Sequence, residues 1–556
     1  MKADLTRNTY DPFQHFARVL MQQGRVQLDA DWNEQAAILL HYLQTLAADL
    51  IGPQGGPSAN LGFGVSPLTA SNDFRIGLGR YYVDGILCEA DSAPVSFTPS
   101  AAGLNTIVVD QWTLDGAPFQ VNQLVELFDD VQVPNTAPAF PPTVVQITGA
   151  DQANRKLTIQ GAPAFGTPSA PKVRSVITYL TQPDYPDPPA LAVNTEYLIY
   201  LDVWERLITY AEDDAIREVA LGGPDTAARS KTVWQVKAAA GRAGDNANKQ
   251  FATPCDGFVF TDAGYLAKLF GANRGRLKAM AKQTAASTNP CIIPPNASYT
   301  GPENQLYRVE IHRPGGAWDG SGSGQSTAAT FKWSRENGSV VCPIVSMASG
   351  NGVTTLTLES LGRDDKLGLA EREWVELQDD TYVLQNRAGN LLQVQSIDTT
   401  ALTVTLNGVP GSKVGQDPSQ HPLLRRWDQQ AGDPADGELV LGTDGGALIV
   451  ESAGSWLILE DGVQIQFEPP DAGQPANQYR TGDYWLIPAR TATGDVEWPT
   501  EMGKDAQGNA VLVHLAKPPD GIDHHYAPLG AMVAQAQGPV APLGDCRKQF
   551  SGWAHT

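Results

Sequence analysis

Between Glu303 and Val340 apolar and polar residues alternate on both sides of a Gly/Ser-rich tip that runs from Pro314 to Ser326. Tyr307, Val309 and Ile311 interleave with Leu306, Arg308, Glu310 and His312, and Phe331 and Trp333 flank Lys332. A period of two predicts strands, so this stretch reads as a long β-hairpin. One face carries Tyr307, Val309, Ile311, Phe331 and Trp333 into a core. The other carries Arg308, Glu310, Lys332 and Arg335 as cross-strand charge partners. A hairpin this aromatic does not stand alone in water, so the chain around it must cover it.

A different period governs the first fifty residues. Trp32, Ala36, Leu39, Leu40, Leu43, Leu46, Ala47 and Leu50 recur at threes and fours behind the N-cap candidates Asp29 and Asp31, and Gly52-Pro53 follows. The spacing predicts one amphipathic helix with a single apolar stripe. Ahead of it, Asp11-Pro12 opens an apolar segment from Phe13 to Met21, and Gly24 separates that from alternating Arg25-Val26-Gln27-Leu28. A helix of this kind needs something to pack on, either its own sheet or a neighbouring subunit. Its candidate docking residues are Trp32, Leu39, Leu43, Leu46 and Leu50.

The rest of the chain reads as short strands. Gly79 to Cys88 is a hairpin turning at Asp84-Gly85. Thr106 to Val109 leads to Val125-Glu126-Leu127-Phe128-Asp129-Asp130, then Val145 to Ile147, then Lys156 to Gln160. The same order and spacing return in Thr355 to Leu358, Val375-Glu376-Leu377-Gln378-Asp379-Asp380, Val394 to Ile397 and Leu402 to Leu406. Two copies of one β-barrel-like module are therefore expected. Glu196 to Arg206 and Thr232 to Lys237 are strands around a helical turn or short helix at Asp214 to Leu221. Residues 238–300 form a surface excursion with a short helix at Tyr265 to Phe270. The expected fold is mainly β, a multidomain sandwich and barrel architecture with one N-terminal amphipathic helix. Its parts are a helical docking segment (1–56), β core (57–103), first module (104–163), β core with surface loops (164–300), long hairpin (301–351), second module (352–410) and C-terminal β region (411–556).

Composition narrows the function classes. The 556 residues exceed one core, and 54 glycines with 40 prolines stand above the usual ~12% and suit many turns. A net charge of -22 with no basic run argues against a nucleic-acid surface and favours protein partners. Cys88, Cys255, Cys291, Cys342 and Cys546 are an odd count without C-x-x-C spacing, the usage of a reducing compartment, with Cys255 and Cys291 able to pair. The polar N-terminus has no apolar signal core, and no apolar run approaches the ~18 residues of a membrane span.

Candidate chemistry is sparse. G-x-S-x-G, H-E-x-x-H and G-x-x-x-x-G-K-[ST] are missing. His514, His524 and His525 are the best metal group, yet adjacent histidines on a strand point to opposite faces. Asp129/Asp130 and Asp379/Asp380 lack the spacing of calcium loops and read as turn formers. Trp333, Trp374, Trp427, Trp485 and Trp498 offer a sugar-stacking platform, but their alternating context predicts mostly core. Leu424-Arg425-Arg426-Trp427-Asp428 reads as a buried or interface ion-pair strut. No catalytic, cofactor or metal residue is assigned.

Several blocks carry a resemblance. Gly24 to Gln35, Tyr200 to Arg206, Arg217 to Thr226, the hairpin and Arg480 to Arg490 resemble signatures of an uncharacterised bacterial family encoded with extracellular contractile injection systems, the phage-tail-like particles. The resemblance runs from the N-terminus to about residue 530 and brings no catalytic residues. It implies a non-enzymatic structural component near the baseplate or spike, as a cage or accessory subunit, or related to the tail fibre. Its partners would be other baseplate, spike or sheath subunits and further copies of itself, without nucleic acid or membrane insertion. Such particles assemble in the cytoplasm and are released by lysis, which suits a chain without a signal peptide. The alternative is a glycan-binding or glycan-hydrolysing tail protein that recognises a target cell.

Overall fold

The computed structural model describes residues 1–68, 72–100, 105–131, 137–223, 225–240, 273–282, 298–362, 368–504 and 508–551. Among the described residues strands dominate, with one long helix, α1 (Asp29–Ile51), over the stretch that the apolar spacing marked. The chain divides into two compact units, residues 1–43, 204–233 and 260–524 in the first and 44–203, 234–259 and 525–556 in the second.

In the first unit the hairpin forms as its alternation requires. Gln305–Ile311 pairs with Thr330–Ser334, placing Val309 opposite Trp333 and Glu310 opposite Lys332. Tyr484–Arg490 pairs along the other edge of Gln305–Ile311. This sheet packs its apolar face on a second sheet made of Arg276–Ala281, Val463–Glu468 and Leu457–Ile458. Tyr307, Val309, Ile311, Phe331, Trp333, Phe467 and Trp485 are all buried between them.

Each unit holds a closed six-stranded barrel. In the second unit the circular order is Val95–Pro99, Thr106–Val109, Lys156–Gln160, Thr143–Asp151, Leu124–Asp129 and Pro171–Ser175. In the first it is Val341–Gly350, Val353–Leu358, Thr403–Asn407, Leu392–Asp398, Trp374–Gln378 and Leu423–Trp427. Strand for strand the two orders are the same. The four inner strands of each are the repeated blocks; a further strand on either side closes the ring. Those outer strands escaped the repeat because their sequences differ: Pro171-Lys172-Val173-Arg174-Ser175 stands where the other copy has Leu423-Leu424-Arg425-Arg426-Trp427. Leu423–Trp427 thus completes a barrel rather than opening a C-terminal region.

The remaining second-unit sheets surround a core of Phe63, Phe74, Tyr81, Ile199, Leu201, Trp234, Leu529 and Met532. Thr195–Ile208 pairs with His525–Ala534 there. Asp84-Gly85 turns the hairpin of Gly79–Val83 and Ile86–Ala90, both residues at positive φ. Asp214 to Leu221 holds two 3-10 turns, Asp214–Ile216 and Val219–Leu221, where a helical turn or short helix was expected. Cys88 and Cys342 are buried thiols, whereas Cys546 is held in a disulfide, which differs from the reducing-compartment usage read from the cysteine count. Cys255, Cys291 and the helix expected at Tyr265 to Phe270 lie outside the described residues.

Candidate docking surface

The charged face of the hairpin is buried, not solvated. Arg308, Glu310, His312 and Lys332 each expose 2% of their surface or less. Strands Trp374–Gln378 and Leu423–Trp427 of the same unit supply matching polar groups. Lys332 Nζ lies 2.5 Å from Glu376 Oε2, 3.4 Å from Glu310 Oε1 and 4.5 Å from the Trp427 ring centre. Arg308 Nε donates to Glu310 Oε2 at 2.6 Å and its guanidinium lies over Tyr484. Trp427 Nε1 and Gln378 Nε2 both donate to Glu376 Oε2.

Into this cluster runs the N-terminal strap. The Met1 amine donates to the Tyr484 hydroxyl at 2.8 Å, and Asn337 Nδ2 donates to the carbonyls of Met1 and Ala3. Lys2 Nζ sits 2.8 Å from Glu310 Oε1. Burial, then Arg308 and Lys2, lower the amine to about 4. Burial lowers Lys2 to about 7 against the pull of Glu310. Burial alone would raise the Glu310 carboxyl, but Lys2, Arg308 and Lys332 outweigh it and hold it well below the usual range. His312 is lowered to about 4 by burial, with Lys332 adding to it. The strap continues with Arg7 on Glu497 and with the Thr6 and Thr9 hydroxyls donating to Asp29 and Glu34 of α1. Strand period gave the charge face; nothing in it signalled that the first residues would close over it.

Beyond Tyr10 the anchoring stops. Residues 11–28 have no regular structure beyond a 3-10 turn at Pro12–Gln14 and a turn at Gln23-Gly24, and all but Val19 have exposed side chains. Phe13 is 83% and Val26 84% exposed, and Phe16, Leu20, Met21 and Leu28 are exposed as well. A single bond from Val19 N to Gln35 Oε1, 2.9 Å, ties the middle of this arm to α1. A cavity of about 150 Å³ remains between Tyr10, Phe16, Ile38 and Tyr42. Helix α1 turns Ala30 and Ile38 inward and leaves its stripe in water. Trp32 is 66%, Leu43 64% and Leu50 71% exposed, with Leu39, Leu40, Tyr42 and Leu46 also exposed. Each large apolar side chain left in water forfeits roughly 1.5–3 kcal/mol of burial free energy. Contiguous surfaces of this kind mark interaction sites. The five docking candidates therefore all lie on open surface, and the arm's apolar residues, marked in the sequence as a segment from Phe13 to Met21 and an alternation at Val26 and Leu28, join them there.

Other candidates converge on nothing. His525 bonds Asp84, His524 lies against Trp204, and His514 lies near Trp456. No group of three metal-binding side chains occurs among the described residues. Asp129 accepts from the backbone N–H groups of Ala139, Ser169 and Ala170, and Asp379 from those of Tyr382 and Gly415, so both acids fix turns. Trp333, Trp427, Trp485 and Trp498 are buried and Trp374 is half-buried. Among the described tryptophans only Trp32 is mostly exposed. Arg425 bonds Gln378 and the Gly338 carbonyl, and Arg426 bonds Glu336 and the Gly368 carbonyl, a buried strut as expected. No helix among the described residues is long and apolar enough to cross a membrane.

Residues 1–117, 190–259 and 261–544 match a family described as "Family of unknown function (DUF6519)". The chain belongs to that family. The DUF6519 match takes in the strap, the arm, α1, the hairpin and the first-unit barrel, and it passes over residues 118–189. No curated protein and no solved structure matches the chain.

Proposed function

We propose that this chain is a non-enzymatic structural subunit of a larger protein assembly, which it joins through its N-terminal arm and α1. The observation that carries the reading is the concentration of exposed large apolar side chains in residues 13–50, on an arm whose first ten residues are firmly anchored. An anchored root with a free apolar arm suits a tie between subunits, because the arm gains its burial only on assembly. The assembly it fits is the phage-tail-like contractile particle whose encoded proteins the sequence blocks resemble, at the baseplate or spike. Assembly in the cytoplasm and appearance outside the cell on the released particle follow from that reading.

The test uses Phe13→Asp/Phe16→Asp/Leu20→Asp, three exposed positions whose change leaves the core alone. Particles purified from producing cells should contain the wild-type chain by mass spectrometry. They should lack the variant, which accumulates folded and free. Incorporation of the variant at the wild-type level, or absence of the wild-type chain from particles, would refute the reading.

A further inference from the structure

We infer that the exposed stripe of α1 takes the α1 of a second copy of this chain, packed antiparallel as a two-fold symmetric pair. The inference rests on the docking reading above and leaves the arm for other subunits. Trp32, Ala36, Leu39, Leu43, Leu46 and Leu50 follow a 4-3-4-3-4 spacing, and all six are exposed. That is the a/d seam of a coiled coil, about 27 Å long at 1.5 Å per residue, and such a seam asks for a helix.

Three features select the same helix as the partner. First, the seam is self-complementary when reversed. Trp32 then meets Leu50, Ala36 meets Leu46 and Leu39 meets Leu43, so a two-fold axis repeats every contact. Second, the positions flanking the seam are Asn33, Gln35, Leu40, Tyr42, Ala47 and Asp49. In a chain of net charge -22 these flanks carry one charge, and in the reversed pairing Asp49 falls beside Gln35 rather than another acid. A dissimilar subunit would be selected by opposite charges along the rim; a neutral rim permits self-association. Third, Asp29, Asp31 and Glu34 crowd the first turns, and no basic residue stands in the last. A parallel pair would bring those acids together and align the two helix dipoles, whereas the antiparallel pair separates them and opposes the dipoles.

The full-length chain should sediment at twice its monomer mass across micromolar concentrations, and Leu39→Asp/Leu43→Asp should return it to the monomer with unchanged circular dichroism. Chains carrying Leu39→Cys and chains carrying Leu43→Cys should cross-link under mild oxidation when mixed and far less when either is alone. A monomeric wild type, or a dimer that survives the double substitution, overturns the inference. Equal cross-linking of Leu43→Cys with itself overturns the antiparallel arrangement. A monomeric chain that still enters particles would refute only this pairing, while loss of docking is read from the arm variant in particles.

Discussion

Replacing Lys332 by methionine removes the cation between two buried carboxylates while keeping the length of the stem. Glu310 retains Lys2 and Arg308, but Glu376 keeps the Trp427 and Gln378 N–H groups, the field of Lys2 and the neutral His312 at 3.8 Å, with no cation bonded to it. A buried charge stripped of its partner typically costs about 3–5 kcal/mol. The structure sets a ceiling of similar size, because Glu376 escapes by taking a proton. From an ordinary value of 4.5, neutralisation at pH 7 costs about 3.4 kcal/mol, at 1.36 kcal/mol per pH unit. The expected loss is thus about 3–4 kcal/mol at pH 7, shrinking by about 1.4 kcal/mol for each unit of acidification. Lys332→Met/Glu376→Gln removes the orphaned charge and should recover most of the loss. The assay is urea unfolding at pH 7 and pH 5, with hydrogen exchange on peptides covering 305–311 and 330–334, since a chain of two units need not unfold in one step. A deficit equal at both pH values, or a double variant no better than the single, would refute the reasoning.

Three further outcomes follow from the same geometry. His312 is lowered to about 4 from its ordinary 6.5, so between those values the unfolded chain binds a proton that the folded chain refuses. Stability should therefore fall as pH falls through that window, by up to roughly 3 kcal/mol, and His312→Gln should flatten the slope in pH-resolved thermal melts. Gly85→Ala should destabilise the second unit by roughly 3 kcal/mol or more in chemical denaturation, because φ is +81° and the new Cβ would lie 2.0 Å from the Gln44 carbonyl oxygen. Brief trypsin treatment should cut first after Arg18 and Arg25 on the exposed arm. The freed segment from Met1 to Arg18 should then co-elute with the remainder on size exclusion, held by the contacts of Met1, Lys2 and Arg7.

Where one face of a strand was strongly apolar, the sequence was a good guide, because side-chain period is a local property. The hairpin and its two faces, the limits of α1 and the duplicated blocks all came from such local patterns. What stayed hidden was non-local. Charges at Arg308, Glu310 and Lys332 look alike whether water or another sheet covers them, and only Glu376, Trp427 and the strap decide which. The closing strands of each barrel were likewise invisible as repeats, since pairing depends on backbone groups and each copy is free to change its side chains. In the docking segment the stripe of α1 was legible, but its exposure was not: the same stripe would suit a strut buried within the chain.

The first and last strands of each barrel lie side by side, Val95 facing Val173 in one and Cys342 facing Leu424 in the other. The polypeptide thus departs from its host sheet and comes back at nearly the same spot, as happens where a self-contained cassette has been spliced into a loop. Residues 118–189, outside the family match, contain four of the six strands of the second unit's cassette. Excising it and bridging Ala90 to Val176 with a short glycine-serine linker should leave the host core of Phe63, Trp234 and Leu529 able to fold, and the vacated slot would then accept a foreign domain as a passenger.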